Sequence, residues 1–171
     1  MSQPLWAPWR MEYVLGKKQK EGCVFCLGDG ALDPELEARL VVFRAARAIV
    51  MLNRYPFAAG HLLVIPRTHT SNLEELDPAE FDALFRLVRE TVVRLKSAVR
   101  CEGVNVGLNL GTAAGAGIAE HLHVHAVPRW SGDTNFMPVV ADTRVIPQAL
   151  DDTRRHIASF FGDLAGSSSD E

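Results

Sequence analysis

Apolar residues at Phe81, Leu84, Phe85, Val88, Val92, Leu95 and Val99 recur mostly at spacings of three and four, while Arg86, Arg89, Arg94 and Lys96 face elsewhere. That period predicts an amphipathic helix of about six turns. Its start is written in Asp77-Pro78-Ala79-Glu80: Asp77 caps, Pro78 takes the first helical position, and Glu80 reaches back as in a capping box. Upstream the pattern shortens. Leu40 to Phe43 and Ala48 to Leu52 are rich in β-branched residues and predict a hairpin, and His61 to Ile65 predicts a further strand closed by Pro66. Val104 to Leu110 alternates loosely around Gly107, as in a strand with a close backbone neighbour. Gln148 to Phe161 carries Leu150, Ile157, Phe160 and Phe161 on one side and predicts a second, shorter helix.

Glu120 to Arg129, EHLHVHAVPR, alternates histidines at 121, 123 and 125 with apolar residues at 122, 124 and 126. In a strand this places all three imidazoles on one face and Leu122 and Val124 on the other. Imidazole changes charge near neutral pH and is a ligand or nucleophile when neutral, so the row suits metal binding, proton transfer or nucleophilic attack. The competing reading, a solvated polar face, fits poorly with an internal, strictly alternating run. Directly before it lies Gly111-Thr112-Ala113-Ala114-Gly115-Ala116-Gly117, a small-residue loop whose backbone N–H groups could converge on an anion.

Composition narrows the class. The chain has 171 residues, 47% hydrophobic and 23% charged, which fits one globular domain with a real core. A net charge of −3 without a long basic run gives no footprint for coating nucleic acid. The start, MSQPLWAPWRMEY, lacks the features of a signal peptide, and no apolar run approaches a membrane span, so a cytoplasmic protein is expected. Residues 1–22 form an N-terminal arm dense in aromatics (Trp6, Trp9, Tyr13), residues 23–165 the single domain, and residues 166–171, GSSSDE, a disordered tail. Three cysteines, at 23, 26 and 101, argue against a disulfide scaffold. Cys23-Val24-Phe25-Cys26 alone is half a zinc site, a redox pair or two small packed residues.

His121-Leu122-His123-Val124-His125-Ala126-Val127 resembles the signature of the histidine triad superfamily of nucleotide hydrolases and transferases. Leu52 to Pro56, Gly60 to Pro66 and Asn109-Leu110-Gly111 are similar to that family's strand, nucleotide loop and phosphate-side strand end, in the family's order over roughly residues 23–128. The resemblance implies an α+β fold: an antiparallel sheet of about five strands with the long helix packed on it, a shorter C-terminal helix, and a homodimer. It implies that His123 attacks the α-phosphorus of a nucleotide, forming a nucleotidyl-histidine captured by water, phosphate or another acceptor, with His125 beside it. Backbone N–H groups at Gly117 and Ile118 would hold the developing charge, Asn53 would contact the ribose, and Asn109 a phosphate.

Bacterial members that this chain resembles carry a structural zinc, and by that resemblance its ligands are Cys23, Cys26, His69 and His121. Better-known branches place a glutamine four residues before the first triad histidine, where this chain has Gly117, so that glutamine's role is not transferred. Trp6 to Met11 and Pro128 to Met137 are similar to a bacterial branch that includes diadenosine tetraphosphate phosphorylases. The implied activity is therefore phosphorolysis or hydrolysis of a dinucleoside polyphosphate, with a nucleoside phosphoramidase or a nucleotide sensor as alternatives. A metalloenzyme using all three triad histidines is disfavoured, because ligands spread over about 13 Å of strand would have to converge.

Overall fold

The computed structural model describes residues 22–28, 30, 32–133 and 149–166. The N-terminal arm up to residue 21, residues 134–148 and the tail from 167 lie outside the described residues, and with them the expectations placed there. The described elements in chain order are α1 (Asp33–Ala38), β1 (Val41–Arg44), β2 (Ala48–Leu52), β3 (Leu62–Pro66), α2 (Pro78–Val99), β4 (Gly103–Leu108), β5 (Val124–Arg129) and α3 (Leu150–Ala158). The five strands form one antiparallel sheet in the order β1-β2-β3-β5-β4. The expected α+β architecture is present.

Strands β2 and β3 are buried at every position, because both sheet faces are covered. On one face Ala48, Val50, Leu52, Leu62, Val64, Val124 and Ala126 meet Leu84, Leu87, Val88 and Leu95 of α2 and Ile157 of α3. On the other face Ile49, Met51, Leu63 and Ile65 meet Phe25 and Leu27 of the cysteine-bearing segment. Strand alternation puts His125, opposite Leu63, on this second face.

The long helix starts as expected, with the Asp77 side chain accepting from Ala79 N–H at 2.7 Å and Glu80 N–H at 3.1 Å. Two details differ. The buried face runs through Leu84, Leu87, Val88, Thr91, Leu95 and Ala98, while Phe81 and Phe85 stay 38% and 37% exposed, so the core-facing stripe is rotated from the expected one. Hydrophobic spacing favoured the Phe81–Phe85 stripe, because the buried one is interrupted by Thr91. Glu80 does not close a capping box: its carboxylate turns inward and accepts from Thr68 N–H at 2.9 Å and the Thr68 hydroxyl at 2.5 Å. Burial against a ready donor pair outweighs a solvent-exposed cap. Leu84 and Leu95 are fully buried, and truncating either to Ala costs about 2–5 kcal/mol.

The histidine run alternates as expected: Leu122, Val124 and Ala126 join the helix-side core, while His121 and His123 pack on Phe25 and His125 lies against His123 on the second face. Regular pairing begins only at Val124, so His121 and His123 precede the ladder. Leu122 N–H is instead satisfied by Thr70 C=O at 2.7 Å.

Candidate functional site

The three histidines of the triad serve two different places. His121 is 1% exposed and donates its Nε2–H to the Pro66 carbonyl at 3.0 Å. The bond fixes the tautomer, leaving the Nδ1 lone pair turned to the cysteines, 3.3 Å from Cys23 Sγ and 3.7 Å from Cys26 Sγ. His69 Nδ1 lies 3.3 Å from Cys26 Sγ, and the ligand atoms of Cys23, Cys26, His69 and His121 all fall within 4.8 Å of one another. Bonds of ~2.0–2.3 Å to a tetrahedral ion separate neighbouring ligand atoms by roughly 3.3–3.8 Å. The spacing and the donor chemistry fit a closed metal centre.

The surrounding residues support that geometry. Arg39 donates to the carbonyls of Cys26 at 2.8 Å, Val24 at 3.0 Å and Cys23 at 3.4 Å, clamping the cysteine turn from behind. Phe25 N–H points at Cys23 Sγ at 3.4 Å. Burial, followed by the neighbouring Cys23, pushes the Cys26 thiol above its usual range. A dication bound there would reverse that bias.

His123, 6% exposed, donates Nδ1–H to the His121 carbonyl at 2.8 Å. Its Nε2 therefore carries the lone pair, the form a nucleophile needs. Burial lowers its proton affinity, partly opposed by that hydrogen bond and by Glu120. Phe25 packs on both rings, with centroids 5.1 Å from His123 and 5.7 Å from His121.

The His125 ring lies 4.9 Å from His123, edge to face, and its Nδ1 is 2.9 Å from His61 Nε2. The proton in that second contact can be placed. Phe57 N–H, which can only donate, lies 3.1 Å from His61 Nδ1, so His61 accepts there and donates from Nε2 to His125. His125 is then held with its own Nε2–H as the outward donor. Burial, with His123 adding to it, pulls His125 down to about 4, so the ring is neutral at pH 7.

His61 is the functional residue that sequence reasoning passed over. It is fully buried, stacked on Phe57 at 4.9 Å, and its Nδ1 also lies 3.3 Å from the Asn53 amide nitrogen. A lone histidine at the head of an otherwise apolar strand was the available signal. Gly60 before it adopts φ +83°, and an added Cβ would come within 3.3 Å of Val99, so glycine is required to turn the chain into β3.

Asn53 sits behind the reactive pair, its Oδ1 accepting from Tyr55 N–H at 2.9 Å. Asn109 lies in front, beside a groove of about 250 Å³ lined by Phe57, Asn105, Gly107, Asn109, His125 and Val127. Gly117 is exposed, and the Ile118 side chain packs against the Phe25 cluster. The arrangement can present a neutral nucleophile, an adjacent N–H donor and an open groove to an extended substrate.

The HIT domain family matches residues 35–132. The chain belongs to the HIT family. A HIT relative from Mycobacterium tuberculosis, an AP-4-A phosphorylase, is 42% identical over 162 residues, covering 92% of this chain and 83% of that protein. The bis(5'-nucleosyl)-tetraphosphatase (asymmetrical) of Schizosaccharomyces pombe is 32% identical over 93 residues, 54% of this chain and 50% of that one. Among solved HIT structures, a hypothetical histidine triad nucleotide-binding protein of Sulfolobus tokodaii superposes with a TM-score of 0.62 at 27% identity, covering 77% of this chain and 89% of its own. No helix among the described residues is long and apolar enough to cross a membrane.

Proposed function

We infer that this protein is an enzyme that cleaves a dinucleoside polyphosphate, diadenosine tetraphosphate being the favoured substrate, through a nucleotidyl-histidine on His123. The carrying observation is the tautomer of His123: with Nδ1–H held by the His121 carbonyl, the Nε2 lone pair is the reactive end. The relatedness to an AP-4-A phosphorylase over most of both chains supports the substrate class.

In this reading His123 Nε2 attacks the α-phosphorus, a P–N bond forms, and the bond to the bridging oxygen breaks. The leaving nucleoside polyphosphate keeps that electron pair. The cationic imidazole formed is stabilised by its Nδ1–H bond to the His121 carbonyl. His125, held by His61, directs its Nε2–H at the reacting phosphate. Backbone N–H groups at Gly117 and Ile118 face the developing charge, Asn53 serves the ribose side and Asn109 the phosphates. An oxygen of inorganic phosphate or of water then attacks the same phosphorus and releases His123.

Cys23, Cys26, His69 and His121 would hold a structural zinc ion, which when bound would tie the cysteine segment and the His69 loop to the segment that leads into β5. The protein acts in the cytoplasm as a homodimer. The deciding experiment separates the products of diadenosine tetraphosphate with and without inorganic phosphate. ADP plus ATP, formed only with phosphate, is the expected outcome; AMP plus ATP without it would make the enzyme a hydrolase, and no products would remove the reading.

A further inference from the structure

On the histidine face of β4 the chain places Asn105 and Gly107, with Gly107 directly opposite His125, and Asn109 follows the strand's last residue, Leu108, along the same groove. The pattern is amide, gap, amide. An added Cβ at Gly107 would meet nothing within 4 Å, so the gap is open space rather than packed core. From Asn105 to Asn109 the backbone runs about 13 Å. That is longer than a single phosphate needs, and it matches an extended anion lying along the groove.

Asn105 is held from behind. Arg129, at the far end of β5, donates Nη1–H to Asn105 Oδ1 at 2.9 Å, while its Nε and Nη2 donate to the two carboxylate oxygens of Asp133 at 2.5 and 2.7 Å. Arginine can only donate, so the amide orientation is forced: oxygen toward Arg129, nitrogen away from it. That nitrogen has no hydrogen-bond partner among the described residues. The Arg129 charge is compensated by Asp133. What the groove receives at this end is therefore a neutral pair of N–H donors.

We propose that Asn105 is a specificity-determining residue for the length of the substrate, its Nδ2–H groups binding the phosphates of the leaving nucleoside polyphosphate while Arg129 and Asp133 position it. This rests on the proposed cleavage of a dinucleoside polyphosphate and adds how the groove recognises the departing half. Nucleotides whose leaving group carries no phosphate do not extend to Asn105.

The test compares wild type, Asn105→Asp and Asn105→Ala on diadenosine tetraphosphate and on an aryl ester of AMP, together with calorimetric binding of inorganic tripolyphosphate. Asn105→Asp keeps the bond to Arg129 but replaces the donors with a charge that repels phosphate. The expected result is a drop in kcat/KM on the tetraphosphate that exceeds the drop on the aryl ester by about tenfold or more, carried mainly by KM, with tripolyphosphate binding weakened by a similar factor. Equal losses on both substrates, or a change in oligomeric state on gel filtration, would assign Asn105 a structural role and overturn the proposal. Unchanged tripolyphosphate binding would overturn it as well. Failure of the wild type itself to cleave the tetraphosphate would sink the functional reading, while the tripolyphosphate comparison still decides the role of Asn105.

Discussion

The backbone carbonyl of His121 accepts the Nδ1–H of His123 at 2.8 Å, so one residue links the candidate metal centre to the proposed nucleophile. The His121 side chain faces Cys23 and Cys26, and its main chain sets the tautomer and tilt of the ring that reacts. In the proposed mechanism a metal held there would bear on catalysis without touching substrate.

Removing the metal should loosen that link. Cys26→Ser protein, or wild type treated with a strong chelator, is expected to lose bound zinc, melt several degrees lower and turn over more slowly. Elemental analysis alongside thermal melts checks this. Full metal content in the Cys26→Ser protein would exclude the four-ligand site.

Replacing His123 with Ala removes the nucleophile while leaving a small pocket beneath Phe25. Turnover should fall by about 10³-fold or more, with the circular dichroism spectrum unchanged. Rapid-quench mass spectrometry should find a nucleotide adduct on the wild type and none on the variant. An active His123→Ala protein would end the covalent mechanism.

His61 should matter as much as a residue of the triad itself. His61→Phe preserves the bulk that stacks on Phe57 but deletes the donor to His125 and leaves Phe57 N–H without its acceptor. The loss of the oriented proton is expected to lower kcat by about 10²-fold, at the lower end of acid–base contributions, with little change in KM. The missing acceptor should cost about 1–3 kcal/mol of stability. Wild-type kcat in this variant would refute the positioning role.

Acid should destabilise the fold through His125. Its proton affinity is depressed from the usual 6.5 to about 4 by burial and by His123. Between those values the unfolded chain binds a proton that the folded chain does not, so stability rises with pH there. The contribution is fully present above about pH 6.5 and is lost as pH falls toward 4. Urea unfolding at pH 7 and pH 4.5 should show a larger loss for wild type than for His125→Gln, the difference being on the order of 1–3 kcal/mol. Equal losses would mean that His125 titrates normally in the folded protein.

Elements with one strong local signal were legible in the sequence. The Asp77 cap and the apolar repeat announced α2, and the β-branched runs announced β1 to β3. The triad spacing, with Cys23 and Cys26, named residues that the fold does bring into two clusters. These signals are local because capping, alternation and helical period are set by neighbours in the chain.

Other features were decided only by tertiary contacts. Whether α2 buries Leu87 or Phe81 depends on which stripe meets the sheet, and the buried one carries Thr91 among its apolar residues. Glu80 abandons its cap for Thr68, twelve residues away. His61 reaches His125 across 64 positions, and Arg129 orients Asn105 across 24. The sequence by itself determined which groups could react or bind. Only the packed sheet decided which nitrogen of each imidazole carries the proton, because that choice belongs to donors and acceptors brought together from distant parts of the chain.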